Sequence, residues 1–256
     1  MNDKTILAQF LDLAEDYLRD GYARERKEPV SLPLAYLVEE GEEETAQSDD
    51  TDSGASMDSL EAIASMVSAC SGCGLGATRT MAVPGEGVND PQVMVIGEGP
   101  GADEDRTGRP FVGRAGQLLD KMLASIGLSR KTNCFIANMV KCRPPGNRDP
   151  ATDEIAACFP NLERQIALLR PKIILCAGRI AAQALLKTSR GINALRGEFT
   201  SLQINASDGN STGDTGEELN IPVLCTFHPS AILRDESLKR PAWEDLKLLK
   251  SHLDEV

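Results

Sequence analysis

The stretch Val93-Met94-Val95-Ile96-Gly97-Glu98-Gly99-Pro100-Gly101 decides the class of fold. Four apolar residues, three of them β-branched, read as a buried strand, and the glycines that follow break it into a tight turn. Similar short apolar runs recur at 135–140, 173–177 and 223–227. Between and after them lie helical patterns, roughly 115–126, 153–169, 180–186 and 238–253. Asp149-Pro150 reads as cap and first position of the second helix, and Pro160 inside it as a kink. Strands alternating with helices imply a parallel sheet between helical layers. The expected fold is therefore α/β, a three-layer α/β/α sandwich around a central, mainly parallel four-stranded sheet.

In such sheets ligands bind beyond the carboxyl ends of the strands. That rule selects Gly97-Glu98-Gly99, Asn138, Gly178-Arg179 and His228-Pro229-Ser230, so a carboxylate, an amide and an imidazole should meet on one edge. The glycine turn is not a nucleotide cradle. Its spacing is G-x-G-x-G, Pro100 removes a backbone donor that a phosphate would want, and Glu98 brings a negative charge.

Of 256 residues, 41% are hydrophobic and 26% charged, ordinary for a globular chain. No run of about 18 apolar residues suggests a membrane span, and the start lacks the pattern of a secretory signal, so the cytoplasm is expected. The net charge of −12 lies entirely in residues 1–66, which hold 17 acids and 5 bases. The rest is neutral, and 106–148 carries nine Lys/Arg against the single acid Asp120, a density suited to phosphate contacts. Residues 1–38 read as an amino-terminal helical extension and 39–65 as an acidic disordered linker. The main domain then spans 66–256, with a long polar surface loop at 205–220.

Seven cysteines, an odd count in a chain this long, argue against a disulfide framework. With only His228 and His252 present, any bound metal must be held mainly by sulfur. Cys70 and Cys73 form a C-x₂-C pair among small residues, and Cys142 and Cys158 are singletons, each with proline two residues later. Spacing alone does not separate zinc from an iron–sulfur cluster, although one pair with two singletons is irregular for structural zinc. Cys134, Cys176 and Cys225 sit in apolar runs and read as core.

Five patterns in order carry a resemblance. They are Cys70-x₂-Cys73, the Gly97–Gly101 turn, Gly108-Arg109-Pro110-Phe111-Val112-Gly113-Arg114-Ala115-Gly116, Asn138 with Lys141-Cys142-Arg143-Pro144-Pro145, and His228-Pro229-Ser230. Together they resemble the iron–sulfur, or family 4, uracil-DNA glycosylases, over roughly residues 66–252. The resemblance implies a [4Fe–4S] cluster on Cys70, Cys73, Cys142 and Cys158, and a uracil pocket formed by Gly97, Glu98, Gly99, Glu104, Phe111, Asn138 and His228. The substrate implied is uracil-containing DNA, and the protein is expected to act as a monomer without a membrane. Phe111 would stack on the base, Asn138 would read uracil O4 and N3–H, and Glu104 would stand against the 5-methyl of thymine. His228 would donate to uracil O2, and Glu98 would orient water and stabilise the sugar cation. Ile232 is expected as an apolar wedge on an exposed turn, with Arg234 gripping a phosphate.

Two other readings differ in chemistry. A related uracil-DNA-trapping protein would need a histidine in the stretch 187–196, which has none. A non-enzymatic module with a cysteine-bound metal would bind uracil-containing DNA without leaving an abasic site.

Overall fold

The computed structural model describes residues 59–206 and 217–255. The expectations for residues 1–58 lie outside them. Ser59, the first described residue, caps helix α1 (Leu60–Ala69), its hydroxyl accepting from Ala62 N at 3.0 Å. Residues 60–65, counted above with the acidic linker, thus belong to a helix, whose Ile63 and Val67 are buried. The apolar face that this helix buries against the domain outweighs the single acid, Glu61, of its first turn.

Strand β1 (Glu86–Gly87) precedes β2 (Val93–Gly97), α2 (Ala102–Thr107), α3 (Arg114–Ala124) and β3 (Cys134–Asn138). Helix α4 (Thr152–Leu169), β4 (Ile173–Ala177), α5 (Arg179–Leu185) and α6 (Ile192–Leu195) follow. A hairpin of β5 (Phe199–Ala206) and β6 (Glu217–Thr226), then α7 (Pro229–Arg234) and α8 (Lys239–Glu255), complete the order. Helix α4 is capped two residues later than Asp149-Pro150 suggested: Ala151 N donates to Glu154 Oε2 at 2.7 Å, and Thr152 is the first helical residue. The helix also runs through Pro160 without ending.

Among the described residues the sheet has six strands in the order β1-β3-β2-β4-β6-β5, not four. The four apolar runs form its parallel centre, and every residue of β2, β3 and β4 is buried. Continuous burial, not alternation, is what helices on both faces demand of a parallel sheet. The two additional strands are antiparallel edges. β1 is too short to leave an apolar signal. In β5, Leu202 and Ile204 are buried while Ser201 and Gln203 are exposed, the period of two of a half-covered edge strand. The sequence stretch 205–220, read as a loop, therefore includes strand at both ends.

Register positions the site. Gly97 pairs with Asn138, and Ala177 with Thr226, so the parallel strands stop together and open on one edge. Below that edge Met94, Ile96, Ala137 and Ile174 pack with Leu162, Ile166 and Leu169 of α4. Burial of this apolar surface, worth about 25 cal/mol per Å², anchors the strand ends from which the polar side chains project.

Candidate active site and cysteine cluster

A cavity of about 540 Å³ opens at the carboxyl ends of the strands, within the range of small-ligand sites. Glu98, Gly99, Glu104, Phe111, Asn138, His228 and Arg234 all line it. Gly97 does not itself line the cavity but lies against Phe111 and Asn138, which do, at a position where only glycine fits. A Cβ would sit 2.4 Å from Phe111 Cζ and 2.5 Å from Asn138 Oδ1. The missing side chain lets ring and amide meet.

Asn138 is 1% exposed, and its Oδ1 has no hydrogen-bond partner among the described residues. An unpaired buried acceptor costs about 1–3 kcal/mol, so the site is incomplete without a donor. The main-chain carbonyl of the same residue accepts from Lys141 Nζ at 3.0 Å, and that ammonium also donates to Gln165 Oε1 at 2.7 Å. Burial pulls the Lys141 pKa down to about 8.

His228 follows the end of β6 by two residues and caps α7. Its Nδ1 accepts from Ser230 N at 3.2 Å, with Ser230 Oγ 2.8 Å away. A backbone N–H only donates, so the ring proton of the neutral form belongs on Nε2. Burial, assisted by the Arg234 charge and opposed by Glu104, lowers the His228 pKa to about 4. Gly178, at φ +100°, clears the other side: a Cβ there would lie 2.8 Å from His228 Cβ. The His228 and Phe111 rings stand 5.7 Å apart between centroids.

Glu98 is half-buried. Desolvation raises its pKa and Asp149 raises it further, while Arg179 and Arg234 pull it down. Asp149 and Arg179 form an ion pair of 2.6 Å at the pocket wall, which no sequence pattern singled out as a pair.

Glu104 lines the cavity, but both carboxylate oxygens face backbone. Oε1 accepts from Val112 N at 2.8 Å and Gly113 N at 2.9 Å, and Oε2 from Gly101 N at 3.1 Å. Phe111, between these segments, adopts φ +51°, a left-handed conformation that costs a bulky residue about 1–3 kcal/mol.

Two expectations are corrected. Ile232 is 1% exposed within α7, not on an exposed turn, because α7 packs this side against α3. Leu233 beside it is half-buried, and Arg234 is exposed. Ile232→Ala is therefore expected to lower unfolding free energy by about 2–5 kcal/mol and to affect uracil cleavage in single and double strands alike. Leu233→Ala should leave stability nearly intact. Chemical denaturation paired with cleavage rates on both substrates checks this, and a stable Ile232 variant defective only on duplex would restore the wedge to Ile232. Likewise, the basic run 106–148 is not one phosphate-facing stripe. Arg130 and Lys141 are buried, Arg109 pairs with Glu86, and Arg148 pairs with Glu154.

Cys70, Cys73, Cys142 and Cys158 line a second, separate cavity, brought together by α1, the turn after it, the loop after β3, and α4. Burial pushes the Cys142 and Cys158 thiols up; Arg79 opposes this at Cys142 and Lys141 at Cys158, while the neighbouring cysteines add to it. Gly76 lets the turn close, since a Cβ there would lie 2.9 Å from Cys70 O. Sulfur-directed donors surround the cavity: Arg79 Nη1 reaches Cys142 Sγ at 3.0 Å, Lys141 N reaches Cys158 Sγ at 3.3 Å, and Gly72 N reaches Cys70 Sγ at 3.3 Å. Four cysteines lining one cavity, with N–H donors on three of the sulfurs, are the donor set that a thiolate-held centre would need, although among the described residues no group of three or more His, Cys, Asp or Glu side chains is placed to hold a metal ion. Cys134, Cys176 and Cys225 are buried in strands, as core residues should be.

A family model described as the uracil DNA glycosylase superfamily matches residues 84–247. The chain is 44% identical over 194 residues to a type-4 uracil-DNA glycosylase of Sulfurisphaera tokodaii, covering 76% of this chain and 84% of the relative. It is 39% identical over 196 residues to the type-4 enzyme of Thermotoga maritima, covering 76% and 94%. A type-5 uracil-DNA glycosylase of Pyrobaculum aerophilum matches at 32% over 164 residues, covering 59% and 66%. With the pocket at the strand ends and the four-cysteine cavity beside it, these matches carry one conclusion: the chain belongs to the uracil DNA glycosylase superfamily and stands among its type-4 members.

Proposed function

We propose that the strand-end pocket takes a uracil swung out of DNA and that the residues around it hydrolyse the N-glycosidic bond, releasing uracil and leaving an abasic site. The observation that carries this reading is the unpartnered, buried Asn138 Oδ1 of a residue that lines the same cavity as His228. Uracil answers both groups. Its N3–H donates to Asn138 Oδ1, its O4 accepts from the amide nitrogen, and its O2 accepts from His228 Nε2–H. Cytosine presents an amine and a bare N3 to the same amide and leaves the buried groups mismatched, a form of rejection stronger than steric fit.

Flipping the nucleotide exposes a bond that is inaccessible in the stack. Phe111 stacks on the base, worth about 1–3 kcal/mol. As the C1′–N1 bond breaks, its electron pair moves into the uracil ring and charge collects at O2, where His228 donates. The sugar becomes oxocarbenium-like. The Glu98 carboxylate stabilises it, orients a water molecule toward C1′ and accepts the proton that the water loses. Arg234, exposed at the pocket rim, grips a phosphate and holds the DNA without reading sequence.

Cys70, Cys73, Cys142 and Cys158 would hold a [4Fe–4S] cluster, which when bound ties the loop after Asn138 to α1 and α4 and supplies rigidity in place of reaction chemistry. Protein purified without oxygen is expected to be brown and to contain iron and inorganic sulfide. Stoichiometric zinc without iron would overturn that assignment. The proposal extends to a monomer acting in the cytoplasm, tested by sedimentation and cell fractionation; no helix of the described residues is long and apolar enough to cross a membrane.

The function itself is tested by incubating single- and double-stranded oligonucleotides bearing one uracil and then adding alkali. Scission at the uracil position is expected. Retained binding of uracil DNA without scission would make this a recognition module.

A further inference from the structure

The peptide plane between Phe111 and Val112 is gripped at both ends by opposite charges. Its carbonyl accepts from Arg130 Nη2 at 2.9 Å, and its N–H donates to Glu104 Oε1 at 2.8 Å. The neighbouring groups are held in the same way. Arg130 Nη1 reaches Pro110 O at 2.7 Å, and Gly113 N donates to the same Glu104 oxygen at 2.9 Å. Two successive carbonyls thus face a guanidinium and two successive N–H groups face a carboxylate. Phe111 sits between them in the left-handed region.

Neither charged group is free to wander. The Arg130 side chain is 8% exposed, and its Nε and Nη2 bond Asp120 Oδ1 at 3.0 and 2.8 Å. Glu104 is locked by Gly101 N at the start of α2. Packing closes the remaining direction, since a Cβ on Gly116 would lie 1.9 Å from Phe111 O. A conformation that a phenylalanine does not choose is over-determined by its surroundings. Its consequence is the ring position: Phe111 Cζ lies against Gly97, and the ring lines the pocket near His228.

We propose that Arg130 and Glu104 are positioning residues that hold the Phe111–Val112 peptide in its strained plane and so fix the stacking platform for the base. This rests on the reading of Phe111 as that platform. It gives Glu104 a task other than a wall against a methyl group, and it gives buried Arg130 a task other than contact with DNA. Charged partners are suited to the work, because hydrogen bonds to ionised groups are roughly twice as strong as neutral ones and the peptide dipole lies between opposite charges.

The test is a double-mutant cycle on the full-length protein with its metal centre, using Arg130→Gln, Phe111→Ala and the pair. Cleavage is followed in single turnover at saturating enzyme, and affinity for undamaged DNA is measured separately. Arg130→Gln is expected to slow cleavage about 10²-fold, the loss that a shift near 1 Å can cause, with affinity for undamaged DNA unchanged. Arg130→Lys should recover part of the rate. In the Phe111→Ala background the Arg130 change should add less than about twofold, because the platform it supports is gone. Fully additive losses, or a fall in affinity for undamaged DNA, would overturn the proposal. A readout independent of activity separates it from the functional reading. The drop in Tm caused by Arg130→Gln should shrink in a Phe111→Gly background, where the left-handed conformation no longer needs holding; equal drops overturn the clamp even if the enzyme is active. If Arg130→Gln does not fold, Glu104→Gln enters the same cycles with the same outcomes.

Discussion

His228→Asn is expected to lower the single-turnover rate of uracil release by about 10²–10³, the usual loss for one donor to a developing oxyanion. Asparagine is the informative replacement because its side-chain oxygen can still accept from Ser230 N and cap α7, while the Nε2 donor disappears. The pH profile distinguishes a neutral donor from an acid. The folded pKa of about 4 lies below the ordinary 6.5, so the fold favours the uncharged ring. This contribution to stability is fully present above 6.5 and is lost as pH falls from there toward about 4. The wild-type rate should run level from about pH 6 to 8, where an ordinary histidine would change charge. It should decline only on the acid side, where protonation of Glu98, its carboxyl pushed up by burial, adds to the loss. A rate that fell as pH rose through 6 to 7 would show an imidazolium acid and defeat this account.

Asn138→Asp is expected to reduce uracil cleavage by a similar factor of about 10²–10³, since it removes a donor in a water-excluded site. It should also narrow the ratio between uracil and cytosine, because a protonated acid can offer its O–H to the bare N3 of cytosine. The change is nearly isosteric, so Gly97 and Phe111 keep their contacts and folding should survive. Steady-state kinetics on matched uracil and cytosine substrates measure both effects. Unchanged uracil activity would place the base-reading group elsewhere, and the unpartnered Oδ1 would then need another explanation.

Much of this site was legible because parallel strands end where apolar runs end. Residues 93–96, 135–140, 173–177 and 223–227 announce four covered strands, and the polar residues just past them must share an edge. Gly97, Glu98 and His228 follow from that rule alone, whereas Asn138 stands inside the run 135–140 and closes β3 two residues before the run ends. The edge strands were less legible, since Glu86-Gly87 is too short for any periodicity and β5 shows its alternation over only a few residues. Exposure on α7 was misread for a simple reason. A six-residue helix has no clear face in sequence, and only its packing on α3 says that Ile232 turns inward.

By itself the sequence determined the parallel centre of the sheet, the edge on which chemistry gathers, and the four cysteines as a set distinct from the three in strands. These are local facts of hydrophobic period, glycine turns and spacing, which short-range sterics and burial translate directly into structure. Only the tertiary structure decided what charged residues do. Arg130, Lys141, Glu104 and Arg109 look alike in a basic or acidic stretch. Yet Arg130 grips a strained peptide, Lys141 holds the carbonyl of Asn138, Glu104 gathers three N–H groups, and Arg109 pairs with Glu86 at the surface. A charge on a long side chain takes its role from whichever partners the fold brings within about 3 Å, and those partners are set by long-range packing that no local pattern encodes.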